Sequence, residues 1–220
     1  MKKFNLVISI CCLLFAHCTT DQPSSRVEQL PYYKDASFTP HWISDLPDSV
    51  AIFHKIPSFQ LVNQHGQNIS NEVVSGKIYV ADFFFTTCPG ICPKMTLNMK
   101  ILQEEFRQDS TILLLSHSVT PEIDSVAQLA KYAKKHGINS PNWHLLTGNR
   151  KEIYNLGRNT YFIEEDLGVE KTDEDFLHTE NFVLIDQQGH IRGIFNGLNK
   201  TSIAELIADI YTLKKGNSAQ

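Results

Sequence analysis

One stretch constrains this chain more than any other. Lys77-Ile78-Tyr79-Val80-Ala81-Asp82-Phe83-Phe84-Phe85 is a near-continuous apolar run of strand length, and it leads straight into Thr86-Thr87-Cys88-Pro89-Gly90-Ile91-Cys92-Pro93. Continuous rather than alternating apolarity predicts a central strand buried on both faces. Met95, Met99, Leu102 and Phe106 follow at three-to-four spacing, which predicts a helix. The cysteines therefore sit at a strand-to-helix junction, on the sheet edge where α/β proteins carry their ligand sites.

The rest of the chain fits an α/β domain around that strand. Phe59–Val62, a turn at Asn63-Gln64-His65-Gly66 and a second short extended run predict a hairpin. Thr111–Ser116 and Trp143–Leu146 read as further buried strands. Pro121 is expected to open a helix carrying Ile123, Val126, Leu129, Ala130 and Ala133, and Asn149 to cap another reaching about Arg158. Residues 159–177 read as a long polar connection. Asn181–Asp186, the Gln187-Gln188-Gly189 turn and His190–Phe195 predict a closing hairpin, and Ile203, Leu206, Ile207 and Ile210 a final helix. Strands alternating with helices and ending on a hairpin and helix predict a thioredoxin-like α/β fold with an N-terminal β-hairpin and insertions.

The chain has 220 residues, enough for one such domain and little more. Its formal charge of −4, with no basic stripe, argues against nucleic-acid binding. Met1-Lys2-Lys3 and the apolar Phe4–Ala16 read as a signal-peptide core, too short to span a bilayer comfortably. The run ends at Cys18, followed by polar Thr19-Thr20-Asp21-Gln22. That pattern resembles a bacterial lipoprotein signal, although His17 stands where a small residue is expected; an uncleaved N-terminal anchor is the alternative. The expected organisation is a lipoprotein-type signal peptide over 1–18, a flexible Pro-dotted tether over 19–50, and one domain over 51–220. That domain would be exported, held at a membrane and facing the periplasm.

Of five cysteines, Cys11, Cys12 and Cys18 lie in the targeting segment, leaving Cys88 and Cys92 for the domain. A disulfide between them would close a tiny loop and stabilise little, so redox or metal chemistry is the better reading. A helix start lowers thiol pKa, and positions i and i+4 share one face, so both sulfurs can reach one ion or each other. Three intervening residues and the lack of a Trp before Cys88 count against an ordinary thioredoxin-type oxidoreductase. Such enzymes also place a Pro before a late strand, facing the dithiol; the corresponding place here holds His178-Thr179-Glu180. A His opposite two thiols makes a Cys₂His set, which suits soft Cu(I) and also accepts Cu(II) or Zn(II). His117 is a candidate auxiliary ligand, better read as a hydrogen-bonded supporting residue. His41, His54, His65, His136, His144 and His190 read as surface or turn residues. The acids of Glu164-Glu165-Asp166 and Asp173-Glu174-Asp175 read as a solvated loop, with a flap or docking surface as the alternative.

Several segments together resemble the Sco/SenC family. They are Phe85-Thr86-Thr87-Cys88-Pro89-Gly90-Ile91-Cys92-Pro93, Ser118-Val119-Thr120-Pro121-Glu122-Ile123-Asp124, Leu146-Thr147-Gly148, and His178-Thr179 before Phe182-Val183-Leu184-Ile185-Asp186. The resemblance covers about residues 55–215 in the same order. It implies copper delivery to the CuA-bearing subunit of cytochrome c oxidase, with reduction of that site's cysteines as a further role. The family's copper ligands fall on Cys88, Cys92 and His178. Other copper chaperones or thiol reductants would be further partners. One departure is Thr120, where the family often has Asp; Asp124 matches the second acid of that motif. Two other readings stay open on the same cysteines: an exported thiol–disulfide oxidoreductase, and a copper or redox sensor. The chain reads as a carrier, with thiol–disulfide exchange the one enzymatic activity left open.

Overall fold

The computed structural model describes residues 23–42, 53–164, 177 and 179–217. The signal segment with Cys18, the acidic residues 165, 166 and 173–175, and His178 lie outside the described residues.

Among the described residues, seven strands form one sheet. In chain order they are β1 (Gln60–Asn63), β2 (Asn68–Ser70), β3 (Ile78–Phe84), β4 (Ile112–Ser118), β5 (Trp143–Thr147), β6 (Asn181–Ile185) and β7 (Ile191–Asn196). Their spatial order is β2-β1-β5-β4-β3-β6-β7. The trio β3, β4 and β5 is parallel, and antiparallel strands flank it on both sides. Every residue of β3, β4 and β5 is buried, as their unbroken apolarity requires. One face is covered by α2 (Cys92–Glu105), α3 (Val126–His136) and α5 (Lys200–Asn217), which enclose Met95, Met99, Leu102, Leu129, Ile203 and Leu206. On the other face, the short α1 (Asn71–Val74), α4 (Arg150–Asn155) and a π-helical turn at Leu156–Thr160 cover Tyr79, Phe83 and Leu115.

Three expectations are corrected. Pro121 does not open a helix. Pro121–Ile123 form a turn, Ile123 is 56% exposed, and α3 begins only after Ser125, whose hydroxyl accepts from the Gln128 N–H. The cause is Asp124, which accepts hydrogen bonds from Ser118 and Thr120 and draws the turn inward; short polar side chains compete with helix in this way. The helix capped by Asn149 is α-helical only to Asn155, and its next turn widens to π. His144 and His190 are buried, not surface residues: His144 meets Asn63 at 3.2 Å, and His190 contacts the His54 carbonyl at 3.0 Å.

Part of the segment read as a tether is laid on the domain. Leu30 joins the core, Tyr32 bridges His41, and Tyr33 bridges Ile191 on the edge strand β7. The latch is Arg192. It donates to the carbonyls of Pro31 (3.0 Å) and Leu30 (2.6 Å), pairs with Asp186 (3.0 Å) and lies 3.8 Å over the Tyr32 ring. This cover protects a sheet edge that would otherwise offer unpaired backbone groups. Arg192→Lys keeps a charge beside Asp186 but loses the planar fork. It is expected to cost about 1–2 kcal/mol and to open residues 23–42 to limited proteolysis while the domain stays resistant. Unchanged cleavage there would show that the latch lies elsewhere.

Candidate metal centre

The site is built where β3 hands over to α2. The backbone turns at Phe85, whose carbonyl accepts from Cys88 N–H (3.3 Å), and re-enters helix at Cys92. Thr86 is pinned by Asp124. Its N–H and hydroxyl donate to that carboxylate at 3.1 and 2.5 Å, and Ser118 (2.6 Å) and Thr120 (3.1 Å) donate to it as well. Asp124 is fully buried and thus ties the cysteine loop to the end of β4. Thr120, the departure noted in the sequence, therefore serves the same staple through its hydroxyl.

Among the described residues no side chain caps α2, and Pro93 occupies its first turn. The free N–H groups at the helix start are thus available to the loop. Burial pushes the Cys88 thiol up. The hydrogen bond from Cys92 and the N–H groups of Cys92, Gly90 and Ile91 outweigh it and hold Cys88 below its ordinary value. Cys92 is 4% exposed, and burial, together with the proton it shares toward Cys88, pushes it up to about 12. The pair is therefore asymmetric, with a half-exposed thiol primed to ionise beside a buried one that keeps its proton. Both cysteines are free thiols in the structure.

Beside them opens a cavity of about 200 Å³ lined by Phe83, Phe84, Phe85, Ile91, Val119, Leu177 and Thr179 as well as both cysteines. Leu177 and Thr179 are the neighbours of His178 in the chain, and both are buried. Leu177 and Thr179 thus border the dithiol cavity; His178 itself lies outside the described residues. Among the described residues no group of three or more His, Cys, Asp or Glu side chains is arranged to hold a metal. His117 is fully buried. It stacks on Phe83 at 4.7 Å, and its Nδ1 faces the Asp82 carbonyl at 3.2 Å. Burial pushes its pKa down to about 4, so it stays neutral.

Asp82 is the residue that reading the sequence missed. It projects from β3 to the α2 face and is 3% exposed; Ser116, itself fixed by Trp143 Nε1 (2.9 Å), donates to it. Among the described residues its Oδ1 has no hydrogen-bond partner. Burial pushes its pKa up to about 7. The available signal was a single acid inside an apolar run.

A family model described as SCO1/SenC matches residues 51–215. Three solved structures share the fold. A SCO1/SenC family lipoprotein from Bacillus anthracis is 31% identical, with TM-score 0.64 over 73% of this chain and 95% of that one. BsSco, described as having a disulfide switch and as a member of the Sco family of cytochrome c oxidase assembly proteins, is 30% identical, with TM-score 0.59 over 73% and 93%. Copper-bound ScoI of Bradyrhizobium japonicum, at 24% identity and TM-score 0.55 over 73% and 98%, shows the same fold. Among the described residues no helix is long and apolar enough to cross a membrane. With its thioredoxin-like sheet, its paired cysteines at the β3–α2 junction and a family match over three quarters of its length, the chain belongs to the SCO1/SenC family.

Proposed function

We propose that this protein is a copper metallochaperone that binds copper through Cys88, Cys92 and His178 and passes it to the CuA-bearing subunit of cytochrome c oxidase. The observation that carries the reading is the asymmetric dithiol beside a cavity to which both chain neighbours of His178 contribute. Two soft sulfurs and one imidazole suit Cu(I), the cargo, and three ligands leave a position through which an acceptor ligand can enter. Relatives support the same direction: one is a named oxidase assembly protein and another holds copper. The B. anthracis relative is a lipoprotein, which favours an exported domain anchored through lipidated Cys18.

The split in thiol pKa favours a second activity on the same residues. Cys88 thiolate would attack a disulfide of the acceptor and release one acceptor thiolate. Cys92 would then lose its proton and attack Cys88 Sγ, releasing the second. The acceptor gains two electrons and the Cys88–Cys92 disulfide forms. Titration of the reduced protein with Cu(I) under anaerobic conditions tests the copper reading. One equivalent should bind tightly to the parent and weakly to Cys88→Ser. Equal weak binding by both would overturn it.

A further inference from the structure

Leu97 and Ile101 are large and apolar, yet they stand on α2 61% and 40% exposed. Four positions apart, they share one face of the helix. A helix rises about 1.5 Å per residue, which puts them roughly 7 and 13 Å along the axis from Cys92. Ile123, 56% exposed, stands in the turn that Asp124 fastens to Thr86. Among the described residues the other large apolar side chains so exposed are Val27 and Trp42, on the leading segment. Exposed apolar surface thus gathers on the elements that carry the dithiol.

The surroundings of Leu97 and Ile101 are basic. α3 runs beside α2 in the same direction. Gln128 Nε2 donates to Thr86 Oγ1 (3.1 Å) at the cysteine loop, the Thr96 and Tyr132 hydroxyls meet at 2.8 Å, and Gln103 Nε2 donates to the Gly137 carbonyl (3.3 Å) at the far end. α3 carries Lys131, Lys134 and Lys135 and no acid. α2 adds Lys94 and Lys100, while its own acids are engaged, Glu104 by Arg107 (2.7 Å) and Glu105 by the Tyr211 hydroxyl (2.6 Å). Among the described residues none of these lysines is in an ion pair. This face is therefore positive on a chain whose formal charge is −4.

We propose that the outward face of α2, with the lysines of α2 and α3 around it, is the surface on which the acceptor protein docks, and that the acceptor meets it with an apolar centre inside an acidic rim. The inference rests on the transfer proposed above and names the surface through which it passes. A standard interface covers about 800 Å² on each partner, a patch roughly 30 Å across, so one centred on Leu97 reaches the cysteine loop. Thr87, Pro89 and Gly90 are exposed there, and Cys88 is half-buried between them. Apolar anchors at the centre with charge at the edge are the usual anatomy of such a contact. Unpaired rim lysines speed the encounter with an acidic partner and repel a second copy of the same face.

The test measures the rate at which the copper-loaded protein delivers Cu(I) to the soluble CuA domain of the oxidase subunit. Delivery to a small chromophoric chelator, Cu(I) affinity and thermal melting are measured beside it. The double change Leu97→Ser with Ile101→Ser should slow delivery to the CuA domain by about 10-fold or more at any salt concentration. Lys94→Glu with Lys131→Glu should slow it by about 10-fold at low salt and flatten the salt dependence that the parent shows. Copper affinity and delivery to the chelator, which needs no docking, should match the parent in both. The inference is overturned if the Leu97→Ser, Ile101→Ser protein serves the CuA domain at the parent rate, or if its delivery to the chelator slows equally. Acylation of Lys94 and Lys131, read by mass spectrometry, gives a direct check, because the CuA domain should shield them. Shielding by phosphatidylglycerol vesicles and not by the CuA domain would make the face a lipid contact and overturn the inference. A parent that holds copper yet delivers none to the CuA domain would instead sink the acceptor reading, and the docking surface with it.

Discussion

A His178→Ala protein is expected to oxidise to the Cys88–Cys92 disulfide as readily as the parent while binding copper at least about 100-fold more weakly. The two outcomes separate because they draw on different atoms. Disulfide exchange needs the depressed Cys88 thiol and the buried Cys92 thiol, which among the described residues are tuned by burial, by each other, by backbone groups of the cysteine loop and helix start, and by Asp82. Copper held by two sulfurs alone leaves a coordination position to water and loses the ligand that makes the site discrete. In cells the change should lower assembled copper oxidase, and added copper should restore part of it. The measurement is a pair: rate of intramolecular disulfide formation, and Cu(I) affinity against a competing chelator. Copper bound as tightly as in the parent, together with loss of function in Cys88→Ser, would transfer the assignment to the oxidoreductase reading.

The second large effect concerns Asp82 and is a function of pH. Its folded pKa of about 7 stands above its ordinary 3.8 because burial disfavours the charged form. Below pH 4 the carboxyl is neutral in both folded and unfolded chains, so its titration contributes nothing to stability. As pH rises from 4 to 7 the unfolded chain gives up the proton while the folded one keeps it, so stability falls. Above 7 the loss levels off at about 4 kcal/mol, three pKa units at 1.36 kcal/mol each. Asp82→Asn removes the titration and carries only a constant, pH-independent change in hydrogen bonding. The variant's stability relative to the parent should therefore climb between pH 4 and pH 8 by roughly that amount, read by denaturant unfolding of the reduced, metal-free protein. A difference that stays flat across this range would mean that Asp82 ionises normally and that its surroundings are more polar than its burial implies.

Asp82 raises the pKa of Cys92 through charge, and Tyr132 as well, so the protonation of the strand and of the buried thiol are linked. A cation bound at the sulfurs would ease the cost of an ionised Asp82, and so part of the stability lost above neutral pH should return when one binds.

Much of the architecture was legible because the relevant signals are local. Unbroken apolar runs marked β3, β4 and β5 as strands buried on both faces, and Gly-bearing turns between short runs marked the two hairpins. The paired cysteines at a strand-to-helix junction carried the site's chemistry in their own spacing. The start of α3 was misplaced because Pro121 is a legitimate helix opener, and only the three-dimensional meeting of Thr86, Ser118 and Thr120 on Asp124 turns that stretch into a staple. The buried histidines were misread for a similar reason. A lone His reads as exposed until another element is seen to cover it, as Asn63 at the end of β1 and Gln64 in the turn after it cover β5 around His144.

The amino-acid sequence by itself determined which groups this protein can use: two thiols a helical turn apart, a His ahead of a late strand, and strands apolar enough to form the middle of a sheet. These depend on side-chain identity and on periods of two to four residues, which short-range sterics and hydrophobicity translate directly into structure. Tertiary structure alone decided how those groups behave. That burial keeps the proton on Cys92, that Asp82 holds its proton near neutrality, that Leu30 and Arg192 fasten the leading segment to β7, and that Gly157 makes room for Leu177 all depend on residues distant in the sequence coming together. Desolvation, hydrogen bonding and steric fit are properties of those contacts, and no local pattern in the chain encodes them.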